Sequence, residues 1–291
     1  MNRFVALIAA VILAAISVSS ACLAQTSGLI SFTLQPERSN AGKIHASFHD
    51  ESRGRDHDNW STEFMPSDLI GMEVSSFHAA GTRPLRFALI REAGRLDCAG
   101  SGGNDSASGN CRFTADPGFT RLLVSRGIGQ PTRQQAFGLM AVNARRELID
   151  TLSAARYPVP TISNLMALSA LGADRGYILE MSRAGYRPES LEKLIEFKAL
   201  GITPQWIGGF ARVGYANLPA DGLVQMRALG ITPDYIAGFQ RIGYHDLPVD
   251  KLVQLKALDI TPEFVRATVA EQKTLPPVSE LVERKVFGRR R

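Results

Sequence analysis

The side chains suited to chemistry are few and scattered. His45, His49 and His57 fall near Asp50, a set of nitrogens and oxygens that would suit a transition metal or a hydrolytic centre in the N-terminal part of the chain. Spacing argues against this. Two residues four apart on a regular strand share a face but sit more than about 10 Å apart. No His-Glu-x-x-His, Gly-x-Ser-x-Gly or Gly-Lys-Ser phosphate loop occurs in the sequence, and Ser101 and Ser106 stand in a loop with no adjacent base. The expectation is a non-enzymatic chain with no catalytic residue, no metal and no cofactor. A metal-dependent or hydrolytic site around those histidines is the alternative.

Cysteine chemistry depends on the first 24 residues. Arg3 precedes an apolar run from Phe4 to Val18, too short for a comfortable bilayer span of roughly 20 residues, and Cys22-Leu23-Ala24 offers a small-x-small cleavage site before Gln25. Residues 1–24 therefore read as an export signal, which points to the periplasm. A lipidated Cys22 is the competing reading, but Val18-Ser19-Ser20-Ala21 lacks the aliphatic residue expected three positions upstream. With the signal removed, Cys98 and Cys111 remain, flanking the polar stretch AGSGGNDSASGN. In an oxidising compartment an even pair across a hairpin reads as a disulfide. A free thiol pair or half a metal site lacks support, because no His or Cys lies nearby at ligand spacing.

Charge supplies the other candidates. The chain carries a net +5, but Arg3 leaves with the signal. Five of the remaining charges sit in RKVFGRRR (Arg284, Lys285, Arg289, Arg290 and Arg291), so the rest of the chain is close to −1. The basic character belongs to a tail, which excludes a nucleic-acid groove and leaves weak contact with anionic headgroups through 284–291 as an option, that of an envelope structural protein. Three ladders recur within the C-terminal half: Arg183, Arg212 and Arg241; Lys198, Arg227 and Lys256; and the acidic Glu192, Asp221 and Asp250. Stacked units would align each set into a binding surface. The bland reading is dipole complementation, since the basic sets fall in last turns and the acidic one in a first turn.

These ladders are set by a repeat. Thr203 to Gly230 returns 29 residues later, and begins again at Thr261. Trp206 corresponds to Tyr235, Phe264, Tyr177, Leu148 and Phe119, and Leu223 to Leu252, Leu194, Leu165 and Ala136. Five units tile 114–258, with half of a sixth after them. Each unit reads as two short helices: Thr203-Pro204 starts the first, Gly214 ends it with Tyr215 packing back on Phe210, and the second begins near Pro219 and ends at Gly230. Helices of roughly ten residues are marginal alone and need neighbours. The expected architecture is α+β, in which a small antiparallel β domain over 25–115, of roughly five to seven strands, caps an α-solenoid over 116–272. A flexible basic tail over 273–291 completes it. The strands read at Ile30–Leu34, Ile44–Phe48, Leu85–Arg91 with Arg95–Cys98, and Cys111–Thr114.

The runs at 201–207, 214–219 and 230–258, with Gly-Ile-Thr-Pro-x-aromatic-Ile, Gly-Tyr, Leu-Pro and Leu-Lys-Ala-Leu, resemble the short helical repeats in the extracytoplasmic regions of bacterial antirepressor metallopeptidases of the β-lactam-sensor type. The segment from Phe87 to Pro117 resembles the β-hairpin that leads into those repeats, so the likeness covers roughly 85–270. The zinc motif and membrane helices of those peptidases are absent from this sequence, and no catalytic residue carries over. The resemblance implies a sensing or interaction module of the bacterial envelope, with a protein partner such as a membrane sensor or peptidase.

Overall fold

Alternation of apolar and polar side chains builds the first half of the chain. The computed structural model describes residues 29–37, 42–50 and 59–288. The expected export signal with Cys22, the candidate ligand His57, and Arg289, Arg290 and Arg291 lie outside them. Six strands form one sheet: β1 (Ile30–Pro36), β2 (Ile44–Asp50), β3 (Asn59–Phe64), β4 (Arg83–Arg91), β5 (Gly94–Gly103) and β6 (Ser106–Ala115). Their order is β3-β2-β1-β6-β5-β4, and each neighbouring pair is antiparallel. Phe32, Leu34, Phe48, Leu85, Phe87 and Leu96 point to the covered face. A short helix, α1 (Val74–His78), packs there through buried Phe77.

Two stretches differ from the sequence reading. Asn59–Phe64 is a strand, with Trp60 and Phe64 on the covered side opposite Phe48 and Ile44. The polar stretch around 99–110 is not a loose tip, because β5 and β6 pair through it up to Gly103 and Ser106. Asn104 and Asp105 both have positive φ, 52° and 60°, the two-residue turn that matches strand twist. Gly100 and Gly109 face each other in the pair. A Cβ on Gly100 would lie 2.1 Å from the Ser108 carbonyl, and one on Gly109 would lie 2.3 Å from that of Ala99. Three strand steps of about 4.8 Å separate β1 from β4 in a flat sheet. Here the sheet curls over the glycines until the Phe32 and Phe87 rings meet, with centroids 5.0 Å apart. Cys98 and Cys111 are direct cross-strand partners and form a disulfide.

The second half is helical: α2 (Pro117–Ser125), α3 (Arg133–Ala141), α4 (Arg146–Ala154), α5 (Ile162–Ala170), α6 (Arg175–Arg183), α7 (Leu191–Ala199), α8 (Pro204–Ala211), α9 (Ala220–Ala228), α10 (Pro233–Gln240), α11 (Val249–Ala257), α12 (Pro262–Gln272) and α13 (Val278–Phe287). Their starts keep the 29-residue step. First helices are capped at Asp116, Arg145, Asp174, Thr203, Thr232 and Thr261, and second helices at Thr132, Thr161, Ser190, Pro219, Pro248 and Pro277. Each Thr, Ser or Asp cap accepts from the backbone N–H three residues on. Their ends also repeat. The Tyr215 N–H donates to the Phe210 carbonyl at 2.9 Å, as Tyr244 does to Phe239 and Tyr186 to Met181, across a residue with positive φ. Arg156 fills that left-handed position without being glycine, at φ 58°.

Packing follows the same step. Helices α3, α5, α7, α9, α11 and α13 touch in series, and α4 touches α6 as α10 touches α12. Leu165, Leu194, Leu223, Leu252 and Leu281 are all fully or almost fully buried. Among the described residues, Leu281 and helix α13 correct the reading of a flexible tail over 278–287 and of the sixth unit as a half. Pro277, Leu281 and Lys285 stand one period after Pro248, Leu252 and Lys256, and α13 packs on α11. The basic composition of this segment masked the register.

Three polar contacts join the sheet to the first helices. Asp50, 9% exposed, lies 3.4 Å from Arg133 at the start of α3. Arg91 donates to the Met140 carbonyl at 2.8 Å and to that of Ala141 at the other end of α3, with its guanidinium over the rings of Trp60 and Phe64. Glu92 accepts from the Arg146 N–H at 2.9 Å, replacing the side-chain cap that Arg145 cannot supply to α4. Arg91 and Glu92 each place a charge where the helix dipole favours its sign. Burial pulls the Arg91 guanidinium down to about 10 despite the nearby Asp68 carboxylate, while Arg145 adds to the lowering.

Candidate functional site: two basic ladders

Residues 198, 227, 256 and 285 bridge the two helices of their units. The Lys198 Nζ lies 4.4 Å from the ring centre of Tyr177, the Arg227 Cζ 5.3 Å from Trp206, the Lys256 Nζ 4.9 Å from Tyr235, and the Lys285 Nζ 5.3 Å from Phe264. The offset is 21 residues each time. It carries a cation from the last turn of the second helix onto an aromatic ring near the start of the first. Two of these cations also reach the preceding unit: Arg227 Nε donates to the Leu200 carbonyl at 2.8 Å, and Lys285 Nζ to that of Asp259 at 2.9 Å. Carbonyls at a helix end carry the negative pole of the dipole, so these contacts are doubly favoured. The charges of Lys198, Arg227 and Lys256 are thus held against the protein's own rings, with Arg227 still exposed, and Lys285, expected in the tail, is a fourth rung.

The same rings tie the units together by hydrogen bonds. Tyr177 donates its hydroxyl to the Ile202 carbonyl at 3.0 Å, and Tyr235 donates to that of Ile260 at 2.8 Å. Tyr215 and Tyr244 reach into the next unit, to the carbonyls of Leu247 and Pro276. Burial pushes the Tyr177 and Tyr244 hydroxyls up to about 12, with smaller upward pushes from Tyr157 and Glu280 respectively, and raises Tyr235 further.

Arg183, Arg212 and Arg241 are different. They end the first helices α6, α8 and α10 and are exposed. None of the ion pairs or cation–ring contacts found among the described residues includes them. The helices they end are seated closely on the following unit. Gly209 and Gly238 receive Pro233 and Pro262, and a Cβ at either glycine would come within 2.9 and 2.5 Å of the proline ring. The acidic ladder is partly occupied: Asn164 donates to Glu192 at 3.3 Å, and the Lys193 Nζ lies 2.8 Å from Asp221. An open groove of about 490 Å³ runs between the turns of two units, bounded by Arg187, Pro188, Lys193, Asn217 and Asp221.

Other candidates are not brought together. Strand β2 places His45 and His49 on the open face of the sheet and Asp50 on the covered one, where it faces Arg133. His45 lies 3.6 Å from Glu37 and 3.4 Å from the Ser47 hydroxyl. Among the described residues, no group of three or more His, Cys, Asp or Glu converges as metal ligands, and no helix is long and apolar enough to cross a membrane. Of the basic C-terminal cluster, Arg284 lies 3.3 Å from Glu280 and 3.5 Å from Glu271, and Lys285 is stacked on Phe264, so two of its five charges are held against the protein. Comparison with protein-family models, curated proteins and solved structures finds no match for the chain.

Proposed function

We propose that the chain is an exported, non-enzymatic binding module. Its six helical units stack as an α-solenoid closed at one end by the β sheet, and an acidic segment of a protein partner lies along Arg183, Arg212 and Arg241. The observation that carries this is the contrast between ladders. Four cations at one repeat position are spent on rings and carbonyls, while three at another are exposed and outside the ion pairs and ring contacts of the described residues. Series contacts between equivalent helices support the stack, because each unit buries its apolar face on its neighbours. The Cys98–Cys111 disulfide supports export into an oxidising compartment, and the resemblance of 85–270 to sensor repeats points to a membrane sensor or peptidase as the partner.

The test is crosslinking in the native envelope followed by mass spectrometry, with the R183Q/R212Q/R241Q triple variant alongside. The proposal expects one acidic protein to be captured by the natural chain and lost with the variant, at an unchanged melting temperature. Equal capture by both chains would remove the ladder from the interface. In the same preparation, a mature chain beginning at Gln25 is expected, and an unprocessed one would contradict signal cleavage.

A further inference from the structure

We infer a second binding site, on the open face of the β sheet, for an anionic polysaccharide. Strands β4, β5 and β6 bring Arg86, Arg95 and Arg112 to that face around a single carboxylate, Asp97. The register pairs Ala88 with Asp97 and Asp97 with Arg112, and sets Arg86 and Arg95 one pleat to either side. Arg95 is held by Asp97 at 2.6 Å. Arg86 and Arg112 are exposed, and none of the ion pairs among the described residues includes them. Ile70 bridges to Ala88 by paired backbone hydrogen bonds of 2.8 Å and forms a wall, with Gly71, beside a trough of about 390 Å³ floored by Ala88 and Ala99.

The rest of the face decides the class of ligand. Next to the arginines a row of hydroxyls crosses five strands in register: Ser101, Ser108, Thr33, Ser47 and Ser61. Ser47 and Ser61 are 2.8 Å apart. Hydroxyls at strand spacing, about 4.8 Å, offer donors and acceptors to the hydroxyls of a sugar chain, while the arginines take its carboxylates or sulfates. Protein hot spots favour Trp and Tyr, and single-stranded nucleic acid would want aromatic platforms. Among the described residues, the open-face positions of the six strands hold no Phe, Tyr or Trp, and the exposed Ile70 and Ile90 stand at the β4 edge, away from the row of hydroxyls. This site is independent of the helical ladder.

The experiment titrates the mature chain with a size-defined heparin oligosaccharide, a neutral dextran of equal length and inorganic polyphosphate. The natural chain is expected to bind heparin, weakly at raised salt, and to ignore dextran; R86Q/R112Q should lose about ten-fold in affinity. R183Q/R212Q/R241Q should match the natural chain, which separates this inference from the helical one. Far-ultraviolet circular dichroism and melting verify that R86Q/R112Q is folded; R112Q alone, with a several-fold loss, replaces it if it is not. Absence of heparin binding, equal binding by R86Q/R112Q, or polyphosphate binding as tight as heparin binding would overturn the inference.

Discussion

Tyr177, Tyr235 and Tyr244 set the response to alkali. Their hydroxyls are neutral donors to backbone carbonyls, and burial raises the pKa of each, to about 12 for Tyr177 and Tyr244. A raised folded-state value means the unfolded chain gives up these protons first. The stabilisation is therefore complete below pH 10 and is lost as pH rises from 10 through about 12. Thermal melts across that window should fall steeply for the natural chain and less steeply for Tyr177→Phe; equal slopes would contradict the assignment. At neutral pH, Tyr235→Phe should cost about 1 kcal/mol in urea unfolding, the worth of one hydrogen bond. Arg227→Ala should change the emission of Trp206, over which the guanidinium stacks, and cost about 0.5–1 kcal/mol. The identity of both ladders was legible from the spacing of like residues. Their opposite use was not, because the 21-residue offset between Lys198 and Tyr177 is a neighbour relation only once two helices fold back on each other.

At the scale of elements, the joint between sheet and helices hangs on Arg91. Its guanidinium holds the last carbonyls of α3 and covers Trp60 and Phe64, so Arg91→Ala removes the donor to the Ala141 carbonyl and uncovers both rings, while Met140 still accepts from the Asn143 N–H at 3.0 Å. The expected loss is about 2–3 kcal/mol in urea unfolding, against at most about 0.5 for the exposed Arg121→Ala. Replacing the cystine by C98S/C111S removes a covalent tie between β5 and β6 and should cost about 3 kcal/mol on the chain-entropy estimate. Helices were more legible than strands for a physical reason. Thr-Pro starts and Gly-Tyr ends mark a helix with local hydrogen bonds that a sequence displays. Strand β3 and the far ends of β5 and β6 are polar or glycine-rich, and they pair because Phe48, Phe32 and the 104–105 turn hold them in register. Helix α13 was legible in principle, since Pro277, Leu281 and Lys285 keep the period, but its charge made it look like a tail.

At the scale of the molecule, equivalent helices of the proposed stack repeat at a constant step, so that Arg183, Arg212 and Arg241 form a line. Neighbouring packed helices lie about 8–10 Å apart, which fixes the scale of that step. Spin labels at R183C/R212C, R212C/R241C and R183C/R241C in the mature chain measure it directly. The native cystine leaves no thiol among the described residues to compete. Stacking in register predicts two equal short distances of about 10 Å and a third close to their sum. Unequal neighbouring distances, or a 183–241 distance no longer than either, would contradict the stack and with it the line of arginines on which the proposed binding rests.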